Sequence, residues 1–229
     1  LEGFGCEELR LAVSAAGALI HYIHETQKST LEHINTINLL NVHNYMHMDQ
    51  ATVRSLELVK SSEGERRSSL LGLLDLSQTA MGARRIREWI LKPLIETNSI
   101  NERLNQVSIF KTDLILRQAI REKLKLISDL ERLLGRISLS VCNARDLIAL
   151  KNSLAVLPDL IKLLELNGNK TLKFFTSSWD NLEDVYKIID KKIVENPPFN
   201  LKEGNLIKAG CDSELDRLKS ITRDGKKWI

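Results

Sequence analysis

The run Leu74-Asp75-Leu76-Ser77-Gln78-Thr79-Ala80-Met81-Gly82-Ala83-Arg84-Arg85-Ile86-Arg87-Glu88-Trp89-Ile90-Leu91-Lys92-Pro93-Leu94 is the most informative part of this 229-residue chain. Thr79 to Leu91 reads as a helix rich in Ala, Met, Arg, Glu and Leu, all good helix formers. Pro93 stops it, because proline has no N–H and disfavours helix in the residue before it. Arg84 and Arg87, three apart, share a face, while Arg85 points elsewhere. Trp89, between Ile86 and Ile90, is expected to pack in the core.

Working outward, helical signals recur. Glu7 to Gln27 carries Leu9, Val13, Ala16, Ile20 and Ile23 on one apolar stripe. Downstream, Ser99 to Lys111 opens on a Ser99/Glu102 capping box, and Leu114 to Ile127 is amphipathic. A second capping box, Ser128 with Glu131, starts a helix to about Ile137. Asn143 caps another that reaches Val156, and Pro158 suits the first turn of one ending at Leu166. Asn167-Gly168-Asn169 breaks the pattern. Ser178 to Glu195 is helical again. Glu203 to Gly210 is a short extended or turn segment, and a last helix starts near Asp212 or Ser213. Ser61 to Ser69 reads as a loop. One region differs. Residues 44–59 mix Tyr45, Thr52, Val53 and Val59 with Met and Leu, which predicts a small β element with Asp49-Gln50 as its turn. The expected fold is therefore all-α, a multi-helix core with that β element and a helix at the C-terminal end.

Composition narrows the function. Apolar residues make up 43% and charged residues 28%, ordinary for a globular protein. The 33 basic and 30 acidic residues leave a net charge of +3, too small to imply nucleic-acid binding by itself. The three cysteines, Cys6, Cys142 and Cys211, are too scattered for a disulfide framework and suit a reducing cytoplasm. No apolar run approaches the ~18 residues of a membrane span. The chain starts at Leu1 without a methionine and stops at Ile229 inside a helical pattern, so both ends read as cuts.

Catalytic signals are weak. There is no GxxxxGK[ST] phosphate loop, and Gly3-Phe4-Gly5 lacks the strand and third glycine of a dinucleotide fingerprint. His21 and His24 share a helix face, and His43 and His47 lie four apart. Zinc needs three or four converging ligands, and no CxxC is present. Asp212, Glu214 and Asp216 suit a helix start, where negative charge meets the positive end of the macrodipole. No GxSxG elbow occurs. The densest basic cluster is Arg84, Arg85, Arg87 and Lys92, preceded by Arg66 and Arg67. It could make weak DNA or inter-domain contacts, but the interleaved aromatics of a single-strand binder are missing.

Whole phrases go further. The Leu74–Leu94 run closely resembles the core-domain signature of the MutS family of DNA mismatch-repair proteins. Its matching positions include Asp75, Thr79, Gly82, Arg84, Arg87, Trp89, Pro93 and Leu94. Ala15-Ala16-Gly17-Ala18-Leu19, Tyr22 and Glu25-Thr26-Gln27 also resemble family phrases. So do Met48-Asp49, Ala51-Thr52 and Leu56-Glu57-Leu58, although Ser55 stands where the family often has Asn. Asp129-Leu130-Glu131-Arg132 and Arg145-Asp146-Leu147 follow, then Glu203-Gly204, Ile207-Lys208, Gly210 and Glu214-Leu215-Asp216. The phrases keep family order across nearly the whole chain, and the early segment favours the mismatch-repair branch.

The resemblance implies a division of labour. Residues 1–6 would end a connector, 7–211 would form the helical core, and 212–229 would be the base of an outgoing lever helix leading to a DNA clamp. The core would couple an ATPase to the clamp and the mismatch reader without a catalytic, cofactor or metal site of its own. ATP and Mg²⁺, mismatched duplex DNA, a homodimeric partner copy and a MutL-type protein would be ligands and partners of the complete bacterial cytoplasmic protein. The competing expectation is an autonomous helical module binding DNA or protein.

Overall fold

The computed structural model describes residues 9–27, 34, 44–166, 168 and 170–225. The chain divides into two compact units, Leu1–His47 and Met48–Ile229. In the first, the expected N-terminal helix is present as α1, Arg10–Gln27. The glycine pair at residues 3 and 5, Cys6, His43 and the expected connector end at 1–6 lie outside the described residues.

The second unit opens with a correction. Residues Gln50–Ser55 form a helix, α2, where a strand was expected. The side chain of Asp49 accepts a hydrogen bond from the Thr52 amide at 2.7 Å, so Asp49 is an N-cap and not a hairpin turn. The β-branched pair Thr52-Val53 suggested strand, but a capped turn needs only weak propensity to form a six-residue helix. The described residues contain no sheet; an isolated antiparallel bridge joins Ile193 and Ile207.

Ser61 to Ser69 is the expected loop, and Ser69 caps a short helix that sequence reading missed, α3 (Leu70–Leu74). Next come α4 (Ala80–Leu91), α5 (Thr97–Thr112), α6 (Leu114–Leu124), α7 (Leu130–Ser138) and α8 (Ala144–Leu154). They are followed by α9 (Leu157–Leu166), α10 (Lys170–Thr176), α11 (Glu183–Lys192) and α12 (Ser213–Gly225). A 3-10 turn covers Leu201–Glu203.

Caps explain the boundaries and correct two expectations. Helix α5 starts two residues before Ser99, because the Glu96 carboxylate accepts from the amides of Asn98 and Ser99 at 2.9 and 2.6 Å. Asp129, not Ser128, caps α7, accepting from the Arg132 amide at 3.2 Å. The Ser128 amide turns instead to Ser153 Oγ at 3.0 Å. Acidic side chains at N-caps outcompete serine here because they also complement the positive helix end. Asn143 forms the expected cap, reciprocated by Asp146 in a full capping box. Helix α10 falls in a stretch not expected to be helical, and α11 begins later than Ser178, after Leu182 in a left-handed conformation.

Two apolar clusters hold the helices. Leu133, Leu150, Leu154 and Ile189 join α7, α8 and α11, with Leu130, Ile137, Leu147 and Val185 around them. Leu116, Leu164 and Leu172 join α6, α9 and α10, with Phe110 and Ile120 beside them. Each such leucine contributes roughly 1.5–3 kcal/mol on burial. Helix α3 adds Leu71, 2% exposed, above the loop that ends at Ser69.

Candidate functional site

The signature residues build a joint between helices. Asp75 ends α3; one carboxylate oxygen pairs with Arg66 and the other accepts from the Ser77 amide at 3.2 Å. The Ser77 hydrogen bonds first, then Arg66, hold the Asp75 carboxyl below its usual range. Thr79 caps α4 through the Gly82 amide at 3.0 Å. A Cβ on Gly82 would lie 3.1 Å from Thr79 Oγ1 and 3.3 Å from Ser77 Cβ, so the tight turn favours glycine.

From that fixed turn α4 presents Arg84. Its guanidinium grips Asp129 with two hydrogen bonds, of 2.9 and 2.6 Å, and Glu131 with a third of 2.8 Å. The planar fork of Arg suits two parallel bonds to one carboxylate. Bonding to Asp129 foremost, and to Glu131, keeps Arg84 protonated well above its usual range. The same bond lowers the Asp129 carboxyl, helped by the Arg132 amide. Asp129 therefore caps α7 and receives α4 at once.

The other signature positions are spread out. Trp89 was expected in the core, but it is 38% exposed. The Arg103 guanidinium of α5 lies 3.9 Å from its ring centroid, so the indole forms a cation–π lid between α4 and α5. Pro93 and Leu94, both partly buried, follow the helix end. Arg132 contributes its amide to the Asp129 cap and is exposed. Glu214 and Leu215 open α12, with both amides donating to Asp212 Oδ1 at 2.9 Å. Asp216 accepts from the Gly210 amide at 2.7 Å.

The basic cluster is largely spent within the fold. Arg66 pairs with Asp75 and Arg84 with two acids. Arg85 meets Glu88 at 3.0 Å, and Lys92 lies 3.9 Å from the same residue. Arg87 is exposed.

Sequence reading missed further ties whose partners are far apart in the chain. Arg121 of α6 donates to the Leu76 carbonyl at 3.1 Å. Lys123 pairs with Asp159 at 2.5 Å, and Lys151 of α8 reaches Asp190 of α11 at 3.0 Å. Arg136 Nε lies 2.9 Å from Asp146 Oδ2 but makes no aligned hydrogen bond, so that pair is a Coulombic contact only. The only local clue was an acid or base set among apolar helix positions, such as Lys151 beside Leu150. Among the described residues no group of three His, Cys, Asp or Glu could hold a metal ion, and no helix is long and apolar enough to cross a membrane.

These are the features of a scaffold: helices closed on one another by charged brackets, with the polar groups spent on joints. Comparison with known proteins gives the class a family. The MutS domain III model matches residues 51–224, and the MutS domain II model matches residues 1–35, which carries the domain II likeness through α1. Over its whole length the chain is 45% identical to the DNA mismatch repair protein MutS of Alkaliphilus oremlandii (strain OhILAs). It is 46% identical to that of Halothermothrix orenii and 42% identical to that of Symbiobacterium thermophilum, again over its whole length. The chain belongs to the MutS family, and most of it is that family's domain III. It spans about a quarter, 26%, of the length of these relatives.

Proposed function

We propose that this chain is the force-transmitting core of a mismatch-repair protein, coupling an ATPase to a DNA clamp and a mismatch reader without chemistry of its own. The Arg84 bracket carries this reading. It locks α4 to the first turn of α7, so displacement of either helix moves the other. Packed helices shift as bodies between discrete arrangements, which coupling between distant sites requires. In this reading α12 within 212–229 is the base of an outgoing lever, and the core lies between it and the domain II likeness of residues 1–35. The complete protein uses ATP with Mg²⁺, binds mismatched duplex DNA as a homodimer, meets a MutL-type partner and works on DNA in the cytoplasm. Arg87, exposed on α4, is the cation of the cluster proposed to meet DNA or a neighbouring domain. An autonomous DNA-binding module is not favoured, because most of the basic cluster already has carboxylate partners within the fold.

The test is Arg84→Met in a complete MutS-type protein carrying this segment. Basal ATP hydrolysis is expected to persist, while its stimulation by mismatched DNA falls about fivefold or more, the lower end of allosteric coupling. Unchanged stimulation in a variant of native stability would remove the bracket from the coupling path.

A further inference from the structure

We propose that Lys208 is a positioning residue that sets the direction of α12 on the body of the fold, by clamping the chain before it to the last turn of α11. A helix end leaves its final carbonyls without intrahelical partners. In α11 those carbonyls are taken by the residues that lead into α12. The Asp190 carbonyl accepts from Lys208 Nζ at 2.6 Å, the Lys191 carbonyl from Cys211 Sγ at 3.0 Å, and the Lys192 carbonyl from the Lys208 amide at 2.8 Å. Lys208 supplies two of these three donors, and the third is a thiol, a weak donor. Its ammonium also lies 3.8 Å from the Asp190 carboxylate, which Lys151 of α8 holds at 3.0 Å. Three elements, α8, α11 and the approach to α12, thus meet at one carboxylate and two ammonium groups.

The far side of the joint is built to turn. Ala209 and Gly210 separate Lys208 from Cys211, and Gly210 has φ of +84°, a conformation that glycine adopts without strain. Beyond that pivot, α12 reaches back with Lys219 Nζ on the Ile207 carbonyl at 3.1 Å. The Asp216 carboxylate closes the turn on the Gly210 amide. Removing the Lys208 ammonium leaves the backbone bridge of Ile193 with Ile207 in place, so the segment stays paired. What is lost is the charge-assisted bond nearest the pivot; Cys211 Sγ on the Lys191 carbonyl and Lys219 Nζ on the Ile207 carbonyl remain, and α12 moves more widely about Ala209–Gly210. The joint is independent of what α12 reaches.

Residual dipolar couplings on the ¹⁵N-labelled full chain test this, since they report the direction of each helix relative to the others. In Lys208→Met, the couplings of α8 and α11 should keep their native alignment, while those of α12 shrink at least about twofold through added motion. Lys208→Arg, which keeps a charged donor, should restore them. Native couplings in α12 of the Met variant, or an Arg variant that behaves like it, would overturn the proposal. Should Lys208→Met fail to fold, Lys219→Met removes the second clamp at the same pivot. An α12 that keeps its native couplings there leaves Lys208 as the clamp, whereas an α12 that loses all native alignment would place the clamp at Lys219 and overturn the proposal.

Discussion

Ser153 is 0% exposed, yet it is a polar residue in the last turn of α8. Its hydroxyl donates to the Ala149 carbonyl at 2.8 Å and accepts the Ser128 amide at 3.0 Å. A buried hydroxyl is tolerable only when satisfied, and this one also satisfies an amide from the turn before α7. Ser153→Ala strands that amide and should cost about 1–3 kcal/mol in a denaturant melt. A loss within experimental error would mean that water replaces the hydroxyl. Glycines divide by the space around them. A Cβ on Gly72 would sit 2.0 Å from the Arg66 carbonyl oxygen, which is backbone and cannot swing aside. Gly135 is inside α7 and a Cβ there meets nothing within 4 Å. Gly72→Ala should therefore destabilise by about 1–3 kcal/mol or more, whereas Gly135→Ala should stabilise by up to about 1 kcal/mol. Equal thermal shifts in the two variants would contradict this packing.

Helices in this protein are tied at their ends, so their charges have a pH signature. Asp129 caps α7 and receives Arg84, and its carboxyl is held below the ordinary value of 3.8. A depressed carboxyl pKa stabilises the fold at pH values above the unfolded pKa, and that contribution disappears as pH falls through the folded pKa. The loss should be confined to pH below about 4, where the unfolded carboxyl protonates first. Asp129→Asn should lower stability at neutral pH and flatten the acid limb of a melting profile taken between pH 5 and pH 2. An unchanged acid limb would show that Asp129 carries no differential protonation. Cap chemistry was legible where it was unambiguous. Asn143 was found because only it stood before the apolar run. Glu96 and Asp129 were missed because a serine nearby satisfied the same spacing rule, and the competition between caps is settled by which side chain reaches the amides. The six-residue α2 was misread because β-branched residues weigh heavily in so short a window.

At the scale of the whole molecule, the described residues hold packed helices and brackets without a nucleotide cradle, and the chain has no phosphate loop. Calorimetry with ATP and Mg²⁺ on this chain should give no stoichiometric binding. Saturable heat abolished by a substitution within residues 1–229 would sink the proposed division of labour. Helical periodicity, proline stops and the Asn167-Gly168-Asn169 break marked most of the long helices, because those signals are local and each helix must show one apolar face. The run from Leu74 to Leu94, with its companion phrases, also placed the chain in its family. Periodicity left open which charges meet. Arg84 and Asp129 are 45 residues apart, and Lys151 and Asp190 are 39 apart. The same basic residues also allowed weak DNA or inter-domain contacts, and Trp89 read as core until Arg103 was found over its ring. Side-chain pairing between distant segments depends on how helices pack, and many charge pairings are compatible with one pattern of apolar faces. The helices were thus written in the sequence by local physics, while the joints between them, where this protein's proposed function lies, were decided only when the tertiary fold brought remote charges within hydrogen-bond reach.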